Sequence, residues 1–276
     1  MESPVHVHLT FPMKPLIFPL ALSLGLLTVL ARAQEEGAAA PAAGTPTAAP
    51  KQEEDPTLAR LESLPADQQE KVKKAIGEAS SFVSGIRLQE ALQRLSEVET
   101  VVPDLFMVQN LKGAVFTKMR IFAKARESFQ KARELHPKSF HPTFNLAEIE
   151  FVEAADKARA GDATAAAQFA SAQKLFQGLN LSRTDDATRR LVEFKIVICQ
   201  LKQGKTAEAE AAAKAFSYID DEPVYYMSHA AVAFHKDDKA AAQEWIDSAN
   251  RIYSQQQMSV YMDSFIEVGW VETLSL

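Results

Sequence analysis

Apolar residues recur at helical spacing along most of the chain. Ala125, Phe129 and Ala132, for example, lie four and three residues apart, which places them on one face of an α-helix. The sequence contains no Asn-Gly or Asp-Gly hairpin signal and no alternating run of β-branched residues. Prolines, which interrupt helices, are rare after residue 66; they are Pro103, Pro137, Pro142 and Pro223. The pattern predicts an all-α fold and argues against a sandwich, a barrel or a doubly wound α/β sheet.

The apolar pattern also repeats at a constant interval. Phe82 and Phe116 are separated by the same length of chain as Pro103 and Pro137. A single helical hairpin of this length cannot bury its apolar face, so neighbouring hairpins must stack against one another. The interval therefore predicts a helical solenoid, with an irregular helical bundle as the competing interpretation.

This spacing resembles that of the tetratricopeptide repeat family, whose unit is a helix–turn–helix of roughly 34 residues. The best-matching unit, 106–139, carries the small, aromatic and proline positions of that repeat: Gly113, Phe116, Ala125, Phe129, Ala132 and Pro137. The resemblance implies a right-handed α-solenoid of about five repeats between residues 56 and 256. The predicted units are 72–105, 106–139, 140–179, 190–223 and 223–256, and the third contains six extra residues near Gly161.

The last segment, 257–276, is amphipathic, with Tyr261, Phe265 and Trp270 on its apolar side. Because the end of a solenoid exposes an apolar face, we predict that this segment forms a C-terminal capping helix. The alternative is a helix that binds a partner or docks onto the solenoid itself.

The N-terminus has the features of a bacterial secretory signal. An apolar run from Leu16 to Leu30 follows Lys14 and precedes the small residues Ala31 and Ala33. We expect a signal peptide over 1–33, with translation starting at Met1 or at Met13; an uncleaved signal anchor is the alternative. Residues 34–55 are rich in Ala and Pro and are expected to form a disordered linker. This signal favours a periplasmic localisation, with secretion or a signal anchor as alternatives. We expect no membrane span once the signal is removed.

Charge and composition exclude several classes of chemistry. The chain has 30 Lys and Arg against 36 Asp and Glu, a net charge of −6, which disfavours nucleic-acid binding. Neither His136 and His141 nor His229 and His235 have the i, i+4 spacing of helical metal ligands. The single cysteine, Cys199, lies in an apolar stretch and is expected to be a buried, inert thiol. No catalytic, cofactor or metal site is expected, and we predict a protein that is not an enzyme.

Three acidic runs are expected to serve local structure. Asp185-Asp186 and Asp220-Asp221-Glu222 each precede a predicted helix, so we expect their carboxylates to cap it. Asp237-Asp238 is expected to form a turn between two helices.

In the tetratricopeptide repeat family the first helix of each repeat lines a concave, peptide-binding groove. Carried over to this sequence, the resemblance implies an apolar groove with these candidate residues: Met107, Asn110, Phe144, Phe151, Phe194, Met227 and Phe234. Some members grip a peptide's terminal carboxylate with basic groove residues, but the later positions here are mostly apolar. The competing interpretation makes these side chains core, covered by the six-residue insertion or by the C-terminal helix.

Two functions follow from this sequence. The first is a non-enzymatic scaffold of the cell envelope that binds a segment of a protein partner along the groove. The alternative is a structural solenoid that self-associates as a homo-oligomer, or supports an envelope assembly, without a peptide ligand.

Overall fold

The computed structural model describes residues 55–182 and 184–272, and the regular secondary structure in these ranges is entirely helical. The twelve helices there are α1 Leu58–Glu62, α2 Ala66–Ser84, α3 Leu88–Val101, α4 Phe106–Lys118, α5 Phe122–Leu135, α6 Phe140–Arg159, α7 Ala165–Gln177, α8 Asp186–Lys202, α9 Thr206–Ala215, α10 Val224–His235, α11 Lys239–Asn250 and α12 Gln255–Glu267. The predicted signal peptide and nearly all of the predicted linker lie outside the described residues. The all-α class predicted from the sequence is confirmed.

Ten of the helices pair as five consecutive hairpins, α2/α3, α4/α5, α6/α7, α8/α9 and α10/α11. The first helices of neighbouring hairpins also touch: α2 contacts α4, α4 contacts α6, and α8 contacts α10. We call α2, α4, α6, α8 and α10 the inner helices, and the surface they form together the inner surface. Stacking of consecutive hairpins makes the fold an α-solenoid, in which each unit buries its apolar face against the next.

All five hairpin turns have the same backbone conformation. Each contains one left-handed residue, and these are Ile86, Arg120, Gly161, Gly204 and Asp237, with φ between 59° and 77°. In every turn the amide after that residue donates to the carbonyl five residues before it, at 2.8 to 3.0 Å. This bond is the hallmark of the Schellman motif, which ends a helix and satisfies its last carbonyls. The hairpins therefore share one turn, although only two of the turns use the glycine that the conformation favours.

The extra residues of the third unit lengthen a helix. Helix α6 is 20 residues long, whereas α4 has 13. The insertion thus carries Asp156 and Arg159 about two turns further along the inner surface than the equivalent end of α4.

Small residues lie where the helices of a hairpin approach each other most closely. Ala125 is fully buried in a cluster with Ala114, Phe129 and Ile149. A Cβ atom placed on Gly113 would lie only 2.5 Å from Cε1 of Phe129, so this position has no room for a side chain. Close contact of this kind lets the bulky Phe129 fill the space between α4 and α5.

The acidic runs cap some helices but not others. Asp185 caps α8 as predicted, accepting a hydrogen bond from the amide of Thr188 at 2.7 Å. Asp238 caps α11 through the amide of Ala241. The capping predicted for Asp220-Asp221-Glu222 is wrong, because α10 begins after Pro223 without a side-chain cap. Asp220 instead forms an ion pair with Arg190 of α8, 2.6 Å between Oδ2 and Nη2, because the stacking of hairpins brings the two together.

None of the helices in the described ranges has the length and apolar character needed to cross a membrane.

Candidate functional site

The C-terminal helix, α12, lies on the inner surface. It packs against α6 and α8 as well as against its neighbour α11. Its start is fixed by a capping box between Ser254 and Gln257, and the amide of the Gln257 side chain donates to the carbonyl of Asp221. At its other end Lys202, the last residue of α8, donates to the carbonyl of Val268. Helix α12 therefore runs alongside α8 from one edge of the inner surface to the other.

Four apolar side chains fasten α12 to this surface. Met258, Tyr261, Phe265 and Val268 are all buried, and their spacing of three, four and three residues forms one helical stripe. The ring of Phe194 in α8 lies 4.9 Å from the ring of Tyr261 and 5.6 Å from that of Phe265, measured between centroids. Aromatic pairs at these separations stabilise a contact beyond their buried area.

The aromatic contacts continue onto α10. The ring of Phe234 lies 5.2 Å from that of Phe265 and stacks on Trp270 at 5.9 Å, with 15° between the planes. The inner surface thus holds both α12 and the segment that follows it.

Three basic side chains from different hairpins meet the last turn of α12; we call Arg120, Arg159 and Lys202 the basic cluster. Nη2 of Arg120 lies 2.8 Å from Oε2 of Glu267, and Nη1 of Arg159 donates to the Glu267 carbonyl at 2.8 Å. Lys202 donates to the Val268 carbonyl at 3.0 Å, and burial together with nearby Arg159 lowers the pKa of Lys202 to about 8. Positive charge at a helix C-terminus pairs with its unsatisfied carbonyls and with the negative end of its dipole.

A second group of charges faces the middle of α12. Glu148 of α6 and Lys195 of α8 form a buried ion pair, with 2.9 Å between Oε2 and Nζ. Burial raises the pKa of the Glu148 carboxyl. Asp263 of α12 lies close to Lys195 and to Lys118 of α4, yet its own burial outweighs their attraction and raises its pKa to about 7.

Several polar atoms in this contact have no hydrogen-bond partner among the described residues. They are the Tyr261 hydroxyl and Oδ2 of Asp263 on α12, and Oε1 of Glu148 on α6. An unpaired buried polar group costs about 1–3 kcal/mol, so these atoms offset part of the stabilisation from apolar burial.

Most of the predicted groove residues are buried. Phe144, Phe151, Phe194 and Met227 are at most 5% exposed. Phe144 and Phe151 pack on Phe176 of α7, between the two helices of their own hairpin. These side chains are therefore covered: α12 covers Phe194, and the hairpin itself buries Phe144 and Phe151.

The other predicted groove residues are spread along the inner helices. Phe234 is partly buried beneath α12 and Trp270. Met107 is partly buried against the core of the first hairpin. Asn110 is buried, and its Oδ1 accepts a hydrogen bond from Nδ2 of Asn145 at 3.0 Å, which joins α4 to α6. The structure thus brings Phe194 and Phe234 together under α12 and leaves Met107 and Asn110 in the first half of the solenoid.

Beyond the end of α12 a cleft of about 180 Å³ remains uncovered. Its residues combine apolar and charged side chains from the first three hairpins and α12: Ile86, Leu88, Thr117, Lys118, Arg120, Val152 and Glu267. Ile86 is 63% exposed, and both Ile86 and Arg120 hold the left-handed conformation described above. A β-branched residue in that conformation is strained, and here the strain belongs to the turn that all five hairpins share. The cleft lies next to α12, between the turns of the first two hairpins and α6, and it is open to solvent.

Sequence reasoning missed the basic cluster and this cleft. Arg120 lies in the turn just after α4, and Arg159 is the last residue of α6; basic residues are common at such positions for reasons of helix stability alone. Nothing in their local sequence indicates that three such ends meet one helix from the C-terminus.

The cysteine and the histidines considered for catalysis are buried or packed against other side chains. Cys199 is fully buried, and burial raises the pKa of its thiol. His136 packs edge-on against Phe106, and His235 lies 2.9 Å from the hydroxyl of Thr206. Within residues 55–182 and 184–272, no group of three or more His, Cys, Asp or Glu side chains is placed to hold a metal ion.

The fold and the site define a helical-repeat protein whose inner surface holds its own C-terminal helix. No protein-family model matches the chain, and no curated protein matches it, so membership of the tetratricopeptide repeat family stays a prediction. Among solved structures, the chain is similar to the crystal structure of PilW, described as a widely conserved type IV pilus biogenesis factor. The two chains share 17% identity over 73% of this chain and 87% of PilW, with a TM-score of 0.43. A likeness of that degree supports no conclusion about function.

Proposed function

We propose that this chain is a non-enzymatic interaction protein of the cell envelope, which binds a segment of another protein on its inner surface. The observation that carries the proposal is the way the inner surface holds α12. Apolar anchors at helical spacing, aromatic contacts and a basic cluster at the helix end are the features with which proteins bind amphipathic helices of their partners. The cleft beside Glu267 extends these features over the first three hairpins, where no described segment covers them.

Crosslinking from the cleft tests this proposal. A photoreactive amino acid at Ile86, the most exposed apolar residue of the cleft, should form adducts with a specific envelope protein. The matched control places the same group at Gln130, an exposed residue of α5 that does not line the cleft. Equal labelling from both positions, or none from Ile86, would remove the support for a binding site at the cleft.

The proposed localisation in the cell envelope rests on the sequence of residues 1–33. Cleavage after Ala33 would leave a mature protein that begins at Gln34, which N-terminal sequencing of the protein from its source cells can read directly. A first residue of Met1 or Met13 would contradict cleavage and favour the anchored form.

A second candidate function, self-association of the solenoid, is favoured by a different surface. Three large apolar side chains near the last hairpin, Tyr218, Ile219 and Ile252, are between 58% and 76% exposed. The hydroxyl of Tyr253, next to Ile252, donates to the carbonyl of Asp220, next to Ile219, so the two loops that carry these side chains adjoin. A patch of exposed apolar groups is typical of protein contacts. Light scattering of the full chain would show an oligomer that Ile219→Lys converts to a monomer, whereas a monomeric parent chain excludes this function.

A further inference from the structure

The contact between α12 and the inner helices has the composition of a ligand-binding site. Its apolar stripe of Met258, Tyr261, Phe265 and Val268 has the i, i+3, i+7, i+10 spacing with which amphipathic helices dock in grooves. We propose that α12 is an internal ligand that a partner helix displaces. The partner is an amphipathic helix with two aromatic anchors four residues apart and an acidic residue in its last turn. This inference rests on the proposed function and defines the partner's chemistry.

Charge complementarity sets the acidic requirement. The basic cluster brings one positive side chain from each of three hairpins to a single helix end, where Arg120 pairs with the Glu267 carboxylate while Arg159 and Lys202 donate to the carbonyls of Glu267 and Val268. The side chains of Arg120 and Glu267 are 40% and 15% exposed, so the contact can be reached by solvent and by a competitor. A partner without an acidic residue there would leave Arg120 with Asp156 alone, at 3.5 Å.

The unpaired polar atoms mean that α12 binds the inner surface less tightly than a fully hydrogen-bonded helix would. The Tyr261 hydroxyl and Oδ2 of Asp263 gain no hydrogen bond from the described residues while docked, and both can regain water when α12 leaves. The Oε1 atom of Glu148 belongs to the inner surface, because Glu148 lies on α6. It is also unpaired and would accept a hydrogen bond from a donor on the partner. A helix with Phe in place of Tyr261 and a neutral donor in place of Asp263 would therefore bind the same surface without these costs.

Attachment to the same chain explains how such an imperfect ligand stays in place. Only Arg251 to Ser254 separate α11 from α12, and a short tether gives an effective concentration on the order of millimolar. A free helix present at micromolar concentration therefore needs about 10³-fold higher affinity, or a weakened α12, before it occupies the site.

The test uses a fluorescent peptide with the sequence of residues 253–272 and the full chain. In the chain, Glu267→Lys places a positive charge against the basic cluster and should release α12. The variant should then bind the peptide at least tenfold more tightly than the parent chain does. Glu244→Lys, the same change at an exposed position of α11, is the matched control and should bind no better than the parent. A peptide that itself carries Glu267→Lys should lose its affinity for the open chain.

Two further measurements keep the proposal falsifiable if Glu267→Lys fails to fold. The variant Glu267→Gln loses the ion pair with Arg120 without adding a positive charge, and it should bind the peptide at least threefold more tightly than the parent chain. In the parent chain, backbone amides of α12 should exchange with deuterium at least tenfold faster than those of α8, because α12 opens without global unfolding.

Exchange of α12 only together with α8, or a folded and opened Glu267→Lys chain that does not bind the peptide, would overturn the inference. Either result would leave the adducts from Ile86 as a separate measurement, since they are formed by the parent chain with α12 in place and Glu267 at the edge of the cleft. Loss of those adducts removes the proposed function instead, so the two failures are distinguishable.

Discussion

Gly113 shows at the scale of one residue how closely the helices of a hairpin approach. Its missing side chain makes room for the ring of Phe129, which is fully buried. We expect Gly113→Ala to lower the free energy of unfolding by about 1–3 kcal/mol, because the new methyl group overlaps the ring. Urea unfolding followed by circular dichroism measures the difference.

Gly77 provides the matched control. It lies within α2, and a Cβ atom there meets no other group within 4 Å. Gly77→Ala should therefore raise the stability by about 0.5–1 kcal/mol, the usual gain for this change within a helix. Equal effects at the two glycines would show that the close contact with Phe129 is not formed.

The raised pKa of Asp263 predicts how the stability depends on pH. Its pKa is about 7 in the folded chain against an ordinary value of 3.8, so the folded state favours the protonated carboxyl. The stabilisation is complete below about pH 4, is lost as pH rises to about 7, and changes little above that. Lys195, Lys118, Glu267 and Glu148 are the charged groups that face it.

Asp263→Asn isolates this effect, because the amide does not ionise. Between pH 4 and 7 the free energy of unfolding of the parent should fall relative to that of the variant, as measured by chemical unfolding at each pH. A constant difference across this range would mean that Asp263 is exposed to solvent, with α12 away from the inner surface.

At the scale of elements, Phe144 and Phe234 separate packing within a hairpin from packing against α12. Phe144 is buried against Phe140 and Phe176, so Phe144→Ala should cost about 3–5 kcal/mol of global stability. Phe234 touches α12 and Trp270, so Phe234→Ala should mainly speed amide exchange of α12. Thermal unfolding and hydrogen exchange on both variants check the pair. The reverse assignment would place Phe144, not Phe234, at the contact with α12.

The sequence predicts helices better than it predicts which surfaces they contact. The prolines at 103 and 137 each fall between two hairpins, and the turns at Ile86 and Arg120 are separated by the same interval as these prolines. These signals are local, because a helix and its turn are fixed by neighbouring residues. The capping predicted for Asp220 is wrong because its partner Arg190 lies on the preceding inner helix, α8, and no local rule describes that contact.

The position of α12 is a further example. The stripe of Tyr261 and Phe265 predicts an amphipathic helix that must bury one face. Periodicity does not distinguish the end of the last hairpin from the inner surface, since both are apolar. The contacts with Phe194 and Arg120 decide between the two, and they join parts of the chain that are far apart in sequence.

For the whole molecule, removal of α12 is the most informative change. A chain that ends at Ser254 loses the cover of Phe194 and Phe234, so we expect a lower melting temperature or aggregation. Calorimetry and light scattering against the full chain measure both effects. A truncated chain that stays monomeric with an unchanged melting temperature would contradict the position of α12 on the inner surface.

The pairing of Arg120 with Glu267 joins residues 147 positions apart, and this separation has a consequence during synthesis. The ribosome completes the inner helices before it makes α12. Extending the chain from Lys202 to Trp270 takes several seconds at roughly 5–20 residues per second. Every newly made molecule is therefore open before it is closed, and a chaperone or partner present at that time meets the bare aromatic surface first.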